Sequence, residues 1–92
     1  MTRLLETLDL DTSVYCGADL VGTVRGLYAE GSARSVEWVV VDWHGRGPLA
    51  VPATEIESID DRGISLMQSD VHAYDTLIDF SEARFPTAHK LA

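Results

Sequence analysis

Apolar and polar positions alternate along most of this chain with a period of two, the mark of β-strands. The densest apolar stretch is Val36-Glu37-Trp38-Val39-Val40-Val41-Asp42-Trp43, rich in the β-branched and aromatic residues that favour a pleated surface. Alternation places Val36, Trp38, Val40 and Asp42 on one face and Glu37, Val39, Val41 and Trp43 on the other. Both faces are mostly apolar, so the pattern predicts a central strand covered on both sides, by a closed barrel and by a partner subunit.

The flanking pattern supplies further strands. Val14-Tyr15-Cys16 reads as a short first strand and Leu20 to Ala29 as a second, with Gly22 and Gly26 marking a bulge or a barrel corner. Glu30-Gly31-Ser32-Ala33 turns into the central strand, and His44-Gly45-Arg46-Gly47 leads out of it. Pro48 and Pro52 bracket a short fourth strand, suited to an edge because proline donates nothing to a ladder. After a possible helical turn at Ala53-Thr54-Glu55, Ile56–Ile59 and Gly63–Met67 form a hairpin across Asp60-Asp61-Arg62-Gly63. The period then lengthens: Val71, Tyr74, Leu77 and Ile78 have helical spacing behind a Ser69 or Asp70 cap.

Taken together, the pattern predicts an all-β fold, a small antiparallel barrel of about six strands with a short C-terminal helix. Residues 1–12, with Leu4, Leu5, Leu8 and Leu10 among acids, are expected as an N-terminal arm, residues 13–80 as the barrel with its helix, and residues 81–92 as a flexible tail ending in a frayed stretch. By parity Trp38 and Trp43 cannot share one small interior. Trp43, at the strand end, is expected beneath the C-terminal helix or in a subunit interface, with packing inside its own chain as the alternative. Trp43, Val39, Val41, Tyr74 and Leu77 form the candidate interface.

Size sharpens the expectation of a partner. A chain of 92 residues buries only about 60–65% of its extended surface, and a single cysteine, Cys16, offers no internal disulfide to compensate. A homodimer, an unidentified protein partner and a reducing, cytoplasmic setting follow as expectations. Arg3 and Leu4-Leu5 before Glu6 do not resemble a signal peptide, and no stretch has the length of a membrane span. Fifteen acidic against seven scattered basic residues give a net charge of −8, which disfavours direct nucleic-acid binding and anionic lipid.

Candidate chemistry is sparse. Asp42-x-His44 and His72-x-x-Asp75 together would suit a transition metal, giving a metal- or ligand-binding protein as the alternative function, although no recognised ligand spacing is present. Asp9-x-Asp11 and Asp60-Asp61 read as acidic turns. Cys16 lacks basic neighbours and reads as a buried thiol rather than a nucleophile. No nucleophile elbow, phosphate loop or dinucleotide fingerprint occurs, so neither an enzyme activity nor a cofactor is expected.

Gly22-Thr23-Val24, Val39-Val40-Val41, Val51-Pro52, Ile56 and Ile64-Ser65-Leu66 resemble, in order and spacing, the PRC-barrel domain, across residues 13–80. That family is named for the cytoplasmic part of the photosynthetic reaction centre H subunit and includes a ribosome maturation factor. The resemblance implies a small non-catalytic barrel for assembly or protein binding, often dimeric, and also a ribosome-maturation adaptor that touches a ribosomal protein. One departure stands out: Arg25-Gly26-Leu27 occupies the place where family members often carry an acidic residue.

Overall fold

The computed structural model describes residues 10–31, 35–81 and 84–91. The strands are β1 (Ser13–Cys16), β2 (Asp19–Glu30), β3 (Trp38–Trp43), β4 (Gly47–Pro52), β5 (Ile56–Asp60), β6 (Gly63–Leu66) and β7 (Ala88–Lys90). They join in one sheet of order β4-β3-β2-β1-β6-β5, with β7 also paired to β2. The all-β expectation holds, and the first six strands lie close to where alternation places them.

The expected closed antiparallel barrel is replaced by an open, mixed sheet. β1 and β6 run parallel, with Val14 opposite Ile64, and among the described residues no ladder joins β4 to β5. The free edge of β4 is already occupied: Ala50 N–H donates to the Ile78 carbonyl at 2.9 Å, and Phe80 N–H donates to the Pro48 carbonyl at 2.9 Å. The segment around residues 78–80 thus takes the hydrogen bonds that closure onto β5 would need.

That same segment explains the missing helix. Only a 3-10 turn, Val71–Tyr74, forms where the helix was expected, although Asp70 does cap it by accepting from His72 N–H at 3.0 Å. Val71, His72, Tyr74, Asp75 and Thr76 are all weak helix formers, and beyond them the backbone is extended along β4. The expected frayed end is also corrected. Ala88–Lys90 pairs antiparallel with Tyr28–Glu30, anchored by Thr87, whose hydroxyl donates to a Glu30 carboxylate oxygen at 2.6 Å.

Residues 1–9 of the expected N-terminal arm lie outside the described residues. Its last residues continue β1 backwards along β2, Asp11 N–H donating to the Val24 carbonyl and Val24 N–H to the Thr12 carbonyl, each at 2.8 Å.

Two glycines permit close strand approach. A Cβ on Gly22 would collide with the Asp42 carbonyl of β3, and one on Gly63, at φ +137°, with the Ser13 carbonyl of β1. A bulge follows Gly22 in β2: Val24 faces Val41 and Gly26 faces Val40, leaving Arg25 as the extra residue. Before the bulge Val24 points into the core; after it Leu27 and Ala29 do. The core itself lies on one side of the sheet, between Val14, Leu27, Val41, Leu49, Val51 and Ile64.

Candidate functional site

The alternation of β3 is as expected, but its inward side is the one that carries Trp43. Trp43 is 7% exposed, Val39 and Val41 1% each and Tyr74 3%, all within the core cluster, with Leu77 packed partly against it. Four of the five residues anticipated as an interface are therefore taken up by the chain's own interior, and Leu77 is partly buried. Trp43 does meet the turn at Val71–Tyr74, its ring centroid 5.8 Å from that of Tyr74, but from inside.

Arg46, which no sequence motif singled out, holds this corner together. Its guanidinium donates to the Tyr74 carbonyl at 2.9 Å and reaches those of Asp75 at 3.3 Å and Leu77 at 3.5 Å. It also lies 5.9 Å from the Trp43 ring centre. These carbonyls, turned toward a cation, are the acceptors that a continuing helix would have used internally.

The opposite, outer face of the sheet carries Trp38, Val40, Ala50 and Tyr28. Asp79 is bridged to Leu49 at one side of it and Ala88 pairs with β2 at the other. Phe80 lies 4.5 Å from Tyr28 by ring centroids, Phe85 5.3 Å from both Trp38 and Phe80. Glu30 ties the arrangement down by accepting from the Trp38 indole N–H at 3.2 Å and from Thr87.

Two features open on this face. The first is an apolar recess of about 190 Å³ between Trp38, Ala50, Pro52, Thr76, Leu77 and Ile78, with Ile78 49% exposed at its rim. The second is a cleft of about 260 Å³ between Arg25, Tyr28, Val40, Pro48, Phe80 and Lys90. The bulge puts Arg25 there, near Asp42 at 3.8 Å, with both side chains more than half exposed.

The sequence-predicted ligand set does not converge. Asp42 faces Arg25, His44 is exposed in the turn between β3 and β4, and His72 Nδ1 pairs with Asp75 Oδ2 at 3.2 Å. Among the described residues no three His, Cys, Asp or Glu side chains gather as a metal site. A polar hollow of about 420 Å³ does open at the β3–β4 turn and brings Asp42 and His44 to one wall with Thr23, Arg46 and Gly47. Asp60 serves its turn, accepting from Arg62 N–H at 2.9 Å and Gly63 N–H at 3.3 Å.

Cys16 is buried, its thiol donating to the Gln68 carbonyl at 3.1 Å. Burial raises its pKa, and the Asp19 and Asp70 carboxylates add to the rise. Such a thiol is a poor nucleophile. Tyr74 is raised as well, first by burial, against the pull of the Gln68 N–H that its hydroxyl oxygen accepts at 3.0 Å.

The fold and site thus define an all-β protein with a seven-stranded open sheet and an apolar outer face. No protein-family model, curated protein or solved structure matches the chain. No helix among the described residues is long and apolar enough to cross a membrane.

Proposed function

We propose that the chain is a non-catalytic protein-interaction module of PRC-barrel type that works as a homodimer through the outer face of β3 and β4. The observation that carries this reading is the recess between Trp38, Ala50, Pro52 and Leu77, with half-exposed Ile78 on its rim. An apolar hollow beside an exposed aliphatic side chain is the form a self-complementary contact takes: about a two-fold axis, Ile78 of each copy fills the recess of the other. The order Gly22-Thr23-Val24, Val39-Val40-Val41, Val51-Pro52, Ile56 and Ile64-Ser65-Leu66, which resembles the PRC-barrel domain, supports the module reading, although the sheet is open where that domain closes.

Sedimentation velocity at micromolar concentration tests it. The wild-type chain is expected as a dimer, and Ile78→Asp as a monomer with an unchanged far-UV spectrum, its melting temperature lowered only by the lost association and no longer dependent on concentration. A wild-type chain that is monomeric throughout the micromolar range overturns the homodimer.

A further inference from the structure

We propose that the Arg25–Lys90 cleft receives a peptide segment of a protein partner that carries carboxylates next to apolar side chains. This inference rests on the reading of the chain as an interaction module and names the chemistry of a second partner at a separate part of its outer face.

Charge is the first observation. In a chain of net charge −8 with seven basic residues, two of them, Arg25 and Lys90, line one cleft whose other walls are Tyr28, Val40, Pro48 and Phe80. The acidic remainder of the surface repels a carboxylate, so the cleft stands out as a local exception. Arg25 is there because of the bulge, and Lys90 because β7 pairs Lys90 with Tyr28. Asp42, 3.8 Å from Arg25, is the acidic group facing it. An exposed pair of that length is worth at most about 1 kcal/mol, so a partner carboxylate can displace it. Lys90 has no ion pair among the described residues.

Size decides the class of occupant. The cleft holds about 260 Å³ and an adjoining hollow about 280 Å³, each below the roughly 300–1,000 Å³ of small-molecule and cofactor sites. Each suits a side chain better than a whole ligand. The two share Tyr28, Phe80 and Lys90 as a common wall, and the second continues over Phe85 and Pro86. Successive hollows with a cation between them match an extended segment in which apolar and acidic residues alternate.

The test uses a fluorescein-labelled peptide alternating phenylalanine and glutamate, a counterpart with glutamine for glutamate, and phenylacetate as the small-molecule probe. Fluorescence anisotropy gives affinity, and amide chemical shifts locate the contact. The acidic peptide is expected to bind with shifts at Tyr28, Val40 and Ala88, and to weaken with salt. Arg25→Gln and Lys90→Gln should each cost about five-fold, and the double variant roughly 25-fold, with melting temperatures unchanged. Equal affinity for the glutamine peptide overturns the proposal. Phenylacetate binding as tightly as the acidic peptide overturns it in favour of a small-molecule site. Dissociation of the dimer by the double variant, with no peptide bound to wild type, overturns it in favour of a second copy. A silent peptide beside a dimer that Ile78→Asp still breaks removes this inference alone, whereas a wild-type monomer that binds the peptide removes only the homodimer.

Discussion

Replacing each tryptophan of β3 by alanine separates its two faces energetically. Trp43 is 7% exposed, lies against Tyr74 and sits under Arg46, so Trp43→Ala opens a closed cavity and costs about 3–5 kcal/mol. A domain of 92 residues has about 5–14 kcal/mol in total, so this one change removes a large share of the stability. Trp38 is less deeply buried than Trp43, with Phe85 at its edge and Glu30 on its indole. Losing two-thirds or more of the burial of a 150–250 Å² side chain, at about 25 cal/mol per Å², costs roughly 2.5–5.5 kcal/mol as an upper figure. Water can enter the outer site and spare it the cavity cost, so the measured value should fall below that of Trp43→Ala. Urea unfolding followed by far-UV circular dichroism reads both, and since the slope is common the midpoint should move farther for Trp43→Ala. Acrylamide quenching adds a second reading: the tryptophan left in Trp38→Phe should be shielded, and the one left in Trp43→Phe accessible. A Trp38→Ala shift equal to or larger than that of Trp43→Ala refutes the assignment of inner and outer faces.

Three further outcomes follow from the same geometry. Gly22→Ala should cost about 2 kcal/mol or more, because the new methyl meets the Asp42 carbonyl, a backbone atom that cannot swing aside; a thermal shift near zero would remove the close approach of β2 and β3. Cys16 and Tyr74 hold their protons more tightly folded than unfolded, so the stability they contribute is present below the ordinary thiol and phenol values and is lost as pH rises through them. The urea midpoint should therefore fall from about pH 8 to about pH 11, less so in Cys16→Ala with Tyr74→Phe, and an unchanged slope in that double variant would exclude these groups. Arg46→Met should speed amide exchange at Ala50 and Phe80 by about ten-fold while leaving β1 and β6 protected, since it frees the carbonyls of Tyr74, Asp75 and Leu77; uniform protection would show that Arg46 does not hold the segment.

Period-two alternation locates Val14–Cys16, Leu20–Ala29, the Val36–Trp43 stretch that forms β3 at Trp38–Trp43, and the Ile56–Met67 hairpin, because each packs one side of a strand into the core. Alternation assigns residues to two faces without saying which face is inside. That choice depends on what covers each face, and the cover comes from distant chain: Tyr74 over Trp43, Phe85 over Trp38. The Val71, Tyr74, Leu77 spacing misled for a related reason, since a 3-10 turn followed by an extended run buries the same residues as a helix would. β7 is only three residues long and polar in part, so it carries no local signal; its partner is Glu30 and the free edge of β2. Of the site, the Arg25 departure from the family pattern was visible in the sequence, but Lys90 could be joined to it only by the β2–β7 pairing.

That pairing also sets a clock on the ribosome. Tyr28 finds Lys90 as its neighbour, a partner made some sixty residues later, which at about 5–20 residues per second means a wait of roughly 3–12 s. During that interval the far half of β2 offers bare N–H and C=O groups to any other nascent chain. Codon choice between β2 and β7, and the chaperones that meet the chain as it emerges, should therefore influence the yield of folded protein.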